Sequence, residues 1–298
     1  MSCICTIGFF DGVHLGHQHL INQLCNVAEE LKLPPHVITF SLHPRNVCLN
    51  DSVRLLSTRE EKTAILKNLG VKECHVLDFS PEMAKLSARD FMEQYLIGKY
   101  HAKALLVGYD HHFGHPKAGE GFEQYCAYGQ QLGIEVIGAT PFPGPPAGVS
   151  SSNIRKAIES ADIIKANRML GRPYSITSQV VHGRGVGRTL GFPTANLKLL
   201  DSERLLPPTG CYAVRVIDNG TTYAGMLYLG ARPTFDEKEN NHPSIEVNLL
   251  DFDGDLYNHT LIIEFHDFLR SEKRFENTEA LRQQLKNDRQ EVANIIKL

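Results

Sequence analysis

The chain has no tryptophan, no Cys-x-x-Cys pair, no block of lysines and arginines and no long apolar run. Each absence removes a class of protein. A bilayer-spanning helix needs roughly 20 apolar residues, so no membrane partner is expected. The seven cysteines (Cys3, Cys5, Cys25, Cys48, Cys74, Cys126 and Cys211) are odd in number and scattered. They indicate neither a disulfide framework nor a zinc knuckle, and read as reduced thiols of a cytoplasmic protein. A net charge of −3 without a basic stripe gives no nucleic-acid footprint. The start, Met1-Ser2-Cys3-Ile4-Cys5, lacks the charged region and cleavage site of a secretory signal. No internal repeat or low-complexity segment is present. What remains is a 298-residue chain, 42% hydrophobic and 22% charged, with the composition of a globular protein of about two domains.

The first half alternates short apolar runs with amphipathic stretches. Strands are predicted at Cys3–Ile7, His36–Phe40, Glu73–Leu77, Ala104–Val107 and Glu135–Ile137. Helices are predicted within Gln18–Leu31, Arg59–Leu69, Ala88–Ile97 and Phe122–Leu132, with Thr58…Glu61 and Ser87…Asp90 as N-terminal capping pairs. Such alternation implies a parallel sheet covered by helices, with ligands bound beyond the C-terminal strand ends. After Pro141–Pro146 a helical run reaches Leu170, where Gly171-Arg172-Pro173 stops it. A boundary there gives domains 1–170 and 171–298. Beyond it, β-type runs at Ile176–Val181, Cys211–Ile217, Thr222–Leu229, Ile245–Leu250 and Leu261–Phe265 follow without intervening helices. Asn219-Gly220 signals a hairpin. The pattern predicts a small antiparallel barrel closed by a helix over Thr278–Ile296.

Two segments of the first half carry chemistry. Ile7-Gly8-Phe9-Phe10-Asp11-Gly12-Val13-His14-Leu15-Gly16-His17 runs from a strand through a glycine-rich turn into a helix. A helix N-terminus attracts anions through its unpartnered amides. His14 and His17 share the first turn, where imidazoles can donate to phosphate oxygens. Val149-Ser150-Ser151-Ser152-Asn153-Ile154-Arg155 also opens a helix, and its hydroxyls and Arg155 suit a diphosphate. Taken singly, the histidines read as packing residues and the serines as an ordinary N-cap. In the second half, Gly183-Arg184-Gly185-Val186-Gly187-Arg188 can wrap phosphates through amides and guanidinium groups. Pro193-Thr194-Ala195-Asn196 places a hydroxyl and an amide oxygen two residues apart, hard ligands suited to Mg²⁺. The bland alternative is a glycine-rich hairpin.

Together the two N-terminal motifs resemble those of the HxGH-type nucleotidyltransferases. Val37–Pro44 and Val107–Gly114 resemble the flavin-side and nucleotide-side loops of the FMN adenylyltransferase module of prokaryotic FAD synthetases. The string 183–197 closely resembles the riboflavin kinase signature, with supporting matches at 230–235, 245–257 and 268–275. The resemblance covers about residues 4–290 and is to the bifunctional riboflavin kinase/FMN adenylyltransferases. It implies an α/β Rossmann-like domain followed by a β-barrel. It implies phosphorylation of riboflavin to FMN, then adenylylation of FMN to FAD, with ATP as co-substrate and Mg²⁺ as cofactor.

Carried over residue by residue, the resemblance makes Glu246 the kinase general base and His14 and His17 the adenylyltransferase charge stabilisers. Gly8, Phe9, Asp11, Gly12, Gly16, Ser151, Ser152 and Arg155 would bind the adenylyltransferase ATP. Phe40, His43, Pro44, Asp110 and Phe113 would form its flavin and nucleotide loops. Gly183, Gly185, Gly187, Arg188 and Pro193 would bind the kinase ATP, Thr194 and Asn196 the metal, and Arg270 and Phe275 the flavin. Four positions depart from the family pattern: Phe10, Leu42, His112 and Asn258. The expected partners are small molecules, with no nucleic acid, and the chain is expected to be a monomer or weak homo-oligomer. Rival readings are a kinase with a mainly structural first module, a non-catalytic flavin binder, and an RNA-interacting protein.

Overall fold

A computed structural model describes residues 2–42, 53–108, 113–114, 121–183, 187, 190–230 and 243–297. The chain divides into two compact units, Met1–Ser151 and Ser152–Leu298. No helix among the described residues is long and apolar enough to cross a membrane.

The first unit is a five-stranded parallel sheet. Its strands are β1 (Cys3–Ile7), β2 (Pro35–Phe40), β3 (Glu73–Leu77), β4 (Ala102–Val107) and β5 (Glu135–Gly138), in the order β3-β2-β1-β4-β5. All five coincide with predicted strands. Alternate residues feed two cores: Cys3, Cys5, Ile7, Ile38 and Phe40 on one face, and Ile4, Val37, Ala104 and Leu106 on the other. Helices α1 (Leu15–Leu31), α2 (Arg59–Asn68), α3 (Ala88–Phe91) and α4 (Phe122–Leu132) intervene. The expected capping box of α2 is present, with Glu61 N donating to Thr58 Oγ1 at 3.1 Å and Thr58 N to Glu61 Oε2 at 3.0 Å. Ser87 caps α3 through Asp90 N at 3.1 Å. The stretch expected to continue α3 as ordinary helix is instead π-helical over Met92–Lys99. The helical run expected up to Leu170 is two helices, α5 (Ser151–Glu159) and α6 (Ile163–Leu170), broken where Ala161 takes a positive φ.

The second unit is a closed barrel in the order β10-β7-β6-β11-β8-β9. Its strands are β6 (Tyr174–Val181), β7 (Ala195–Leu199), β8 (Gly210–Asp218), β9 (Thr221–Gly230), β10 (Ser244–Leu249) and β11 (Thr260–Arg270). Asn219 and Gly220 join β8 to β9 with φ of 46° and 85°, the two positive values of a primed hairpin turn. Tyr174, Tyr212 and Phe265 are fully buried, each a burial that stabilises by about 1.5–3 kcal/mol. The two hydroxyls are satisfied by Leu205 O and Pro208 O. Helix α6 belongs with this barrel: Asn167 Nδ2 donates to Phe265 O at 2.8 Å and its Oδ1 accepts from Tyr174 N at 2.7 Å. The predicted terminal helix is α7 (Thr278–Ile295), which packs Val292 and Ile296 on Ala213, Ala224 and Met226. β7 was not among the predicted strands; its five residues include only two large apolar side chains.

Candidate active sites

In the first unit the glycine-histidine turn lies beyond the C-terminal end of β1. Gly8 N is held by Ile38 O at 3.0 Å. The chain then turns through residues of positive φ: Phe10 (55°), Gly12 (74°) and Val13 (38°). Only Gly12 takes this conformation without strain; the other two cost about 1–3 kcal/mol each. The surroundings hold them there. Asp11, 3% exposed, accepts from Leu56 N and Ser57 N at 3.0 and 3.1 Å, and Gly12 N donates to Ser57 Oγ at 2.9 Å. The Asp11 carboxylate thus anchors the residues before α2. Ser151 Oγ donates to Asp11 O at 3.0 Å, which joins the two expected phosphate motifs. Ser152 and Arg155 follow in the first turns of α5.

His14 is the N-cap of α1, and its Nδ1 accepts from His17 N at 3.3 Å. With Nδ1 accepting, the ring proton of the neutral imidazole sits on Nε2. The His14 and His17 rings stack with centroids 3.6 Å apart and planes 16° apart. Phe10, buried, meets His17 edge-on at 5.2 Å. Gly16 lies between the histidines. The turn therefore presents two parallel imidazoles at a helix N-terminus, an arrangement that can stabilise charge developing on a phosphate.

Lys62 of α2 was not singled out by its sequence. Its ammonium is buried and donates to Phe9 O at 2.8 Å, Thr39 Oγ1 at 3.1 Å and Phe40 O at 3.4 Å. It also lies 4.2 Å from the centre of the Phe9 ring. It ties the turn after β1 to the end of β2. Burial pushes its pKa down from 10.5 to about 8, against the opposing pull of Asp11. Below that pH the lysine is charged in both the folded and unfolded chain. Between about 8 and 10.5 the folded chain releases the proton first, so the unfolded chain binds more. Wild-type stability relative to Lys62→Met should therefore rise with pH across that window, by up to about 3 kcal/mol. Urea unfolding of both proteins at about pH 7 and about pH 10 measures it; an unchanged difference would contradict the assignment.

Phe40 is buried, edge-on to Phe79 at 5.2 Å, and Phe113 stacks on Tyr125 at 4.5 Å. Both rings join the core beneath the sheet edge. His43, Pro44 and Asp110 lie outside the described residues, as do Gly185 and Arg188.

In the barrel, Glu246 on β10 stands directly opposite Asn196 on β7 and Tyr228 on β9. Ile245, Val247 and Leu249 alternate with it and are buried. Thr194 Oγ1 donates to Glu246 Oε2 at 3.0 Å. Asn248, two residues on and on the same face, donates from Nδ2 to Pro193 O at 2.7 Å and so pins the segment before β7. Gly183 runs so close to Asn196 that a Cβ there would lie 1.8 Å from Nδ2, so any other residue would displace the Asn196 amide. Gly187 O accepts from Leu190 N and Phe192 N, which ties Gly187 to the segment before Pro193. The Thr194 hydroxyl, Asn196 amide and Glu246 carboxylate thus converge as hard oxygen donors. Asn248 Oδ1 is buried beside them with no hydrogen-bond partner among the described residues. This donor set fits a small divalent cation such as Mg²⁺.

The cross-strand row Asn196–Glu246–Tyr228 continues through Cys211 to Arg270 on β11. Arg270 grips the buried Asp288 of α7 with two nitrogens, Nη2 to Oδ2 at 2.7 Å and Nε to Oδ2 at 3.0 Å, and lies 5.7 Å from the Phe275 ring. Its guanidinium is fastened to the terminal helix. Tyr228, which sequence reasoning passed over, donates to Glu272 Oε1 at 2.5 Å. Burial and that carboxylate raise its pKa, so it stays a neutral donor. The only sequence signal for Tyr228 was its strand.

Comparison with known proteins follows the same division. Residues 1–153 match the family model for FAD synthetase and residues 170–296 that for riboflavin kinase. The chain is 38% identical over 291 residues to the bifunctional riboflavin kinase/FMN adenylyltransferase of Bacillus subtilis, covering 97% of this chain and 91% of that protein. It is 33% identical over 289 residues to the protein of the same description from Escherichia coli K12, covering 96% and 90%. A crystal structure described as a macrolide-efflux protein from Streptococcus pneumoniae matches with a TM-score of 0.89 and 33% identity, covering 98% of this chain and 94% of that one.

Proposed function

The chain belongs to the bifunctional riboflavin kinase/FMN adenylyltransferase family, and from that premise we propose how its own residues perform the two reactions. The protein phosphorylates riboflavin with ATP, giving FMN and ADP. It then joins FMN to the AMP part of a second ATP, giving FAD and pyrophosphate. We assign adenylylation to 1–170 and phosphorylation to 171–298.

The observation that carries the kinase assignment is the contact of Thr194 with Glu246, opposite Asn196. Glu246 takes the proton of the terminal ribityl hydroxyl as that oxygen attacks the γ-phosphorus of ATP. Thr194 orients the carboxylate. Gly183, Gly187 and Pro193, with Gly185 and Arg188, hold the triphosphate. Thr194 and Asn196 would hold Mg²⁺, which when bound neutralises phosphate charge. Positioning and charge neutralisation supply most of the acceleration, and no covalent protein intermediate is needed. Phe275, beside the fixed Arg270, borders the flavin.

In the first domain His14 and His17 stabilise charge on the α-phosphate as the FMN phosphate oxygen attacks it. Ser151, Ser152 and Arg155 stabilise the departing pyrophosphate. Gly8, Phe9, Gly12 and Gly16 shape the turn that receives ATP. Asp11 contributes by fixing that turn through Leu56 and Ser57. The reading gives the chain small-molecule partners only, as a monomer or weak homo-oligomer in the cytoplasm.

Incubation of the pure protein with riboflavin, ATP and Mg²⁺, with chromatographic separation of the flavins, tests both halves. FMN and FAD are the expected products. FMN alone would assign the first domain a structural part only, and neither product would overturn the reading.

A further inference from the structure

The opposite edge of the five-stranded sheet holds a cluster that neither reaction uses. His36 is the second residue of β2, Glu73 the first of β3, and His75 lies two residues beyond it. His36 pairs with Glu73 in the parallel register, so all three side chains fall on one face of the sheet, at the N-terminal ends of the strands. The glycine-histidine turn lies beyond the C-terminal ends, about 13 Å further along β2.

The spacing is that of a coordination shell. His75 Nε2 lies 3.1 Å from His36 Nδ1 and 3.5 Å from Glu73 Oε2. The three donor atoms all lie within 4.8 Å of one another. A tetrahedral Zn²⁺ with ligands at about 2.0–2.1 Å holds them about 3.3 Å apart. Two of the three separations are therefore already close to what such an ion needs. Stacking on Tyr100, with centroids 4.3 Å apart, fixes the plane of the His75 ring. The three residues line a cavity of about 240 Å³, together with Lys72, Lys99 and Tyr100, which leaves room for water to complete the shell.

We propose that His36, Glu73 and His75 form a binding site for one divalent transition-metal ion of the Zn²⁺ type, distinct from both flavin-modifying sites. Two neutral imidazoles and a carboxylate are the ligand set this class prefers. One ring donates to the other across the His36–His75 contact. On metal binding that ring moves its proton to its second nitrogen, so the charge of the ligand set does not change. Lys72 and Lys99 oppose the cation, and with three protein ligands the affinity falls below that of a closed four-ligand site. The ion would join the edge strand β3 to β2.

The test uses the full chain stripped of metal with a chelator, then titrated with Co²⁺ alone and followed by visible absorption, with Zn²⁺ added afterwards. One equivalent of Co²⁺ should produce a tetrahedral d–d band that Zn²⁺ abolishes. Glu73→Gln and His75→Ala should each weaken binding about tenfold or more. Glu73→Gln preserves side-chain shape at an exposed position, so it reports on the site even if His75→Ala disturbs the fold. FMN and FAD synthesis, measured in parallel, should be unchanged in Glu73→Gln. Absence of a stoichiometric band would overturn the proposal, as would binding of wild-type strength in Glu73→Gln.

Discussion

Glu246→Gln is expected to lower FMN formation at least tenfold, loss of a general base costing up to about 10²–10⁴ in rate, while adenylylation of supplied FMN continues. The substitution isolates the proton transfer. Glutamine keeps the length of the side chain, and its amide oxygen can still accept from the Thr194 hydroxyl that now reaches Glu246 Oε2 at 3.0 Å. The row from Asn196 through position 246 to Tyr228 is set by backbone pairing and should persist. What disappears is the carboxylate's capacity to take a proton. Riboflavin turnover by the variant, with FAD formation from FMN assayed beside it, measures the effect. Near-normal phosphorylation would refute the role of Glu246.

His17→Ala is the mirror experiment. Removing one donor aimed at developing charge costs about 10²–10³ in rate, and the loss should fall on FAD formation alone. The backbone N–H of residue 17 would still cap onto His14 Nδ1, so the start of α1 is kept. The variant loses the ring that stacks on His14 at 3.6 Å and meets Phe10 edge-on. Separate assays of FMN and FAD formation decide the matter. If phosphorylation failed instead, the assignment of one reaction to each domain would be wrong.

Local pattern made most of the architecture legible. Val37 and Ile38 already name the two faces of β2, and the four-residue Thr58–Glu61 box announces the start of α2 before any tertiary contact is known. The candidate phosphate motifs stand out in the sequence because each is a contiguous string. What escaped depends on distant pairing. Lys62 looks like one charge on an amphipathic helix, yet its Nζ reaches carbonyls of Phe9 and Phe40. Asp11 is one acid in a glycine-rich turn, and only the fold brings Leu56 N and Ser57 N to its carboxylate. Tyr228 and Asp288 acquire meaning only when strand register and α7 bring them to Glu272 and Arg270. The His36–Glu73–His75 cluster joins residues separated by most of a βαβ crossover, with no ligand spacing to betray it. The π-helical turn at Met92 likewise has no counterpart in the periodicity that predicted a regular helix.

One asymmetry between the two units bears on how the chain meets copies of itself. Among the described residues, a barrel closed through six strands exposes no border of unpaired amides and carbonyls. The parallel sheet ends in two borders, β3 and β5, of five and four residues, and each begins with a glutamate, Glu73 and Glu135. Among the described residues the open borders for strand addition are those of the parallel sheet, where short length and negative charge discourage it.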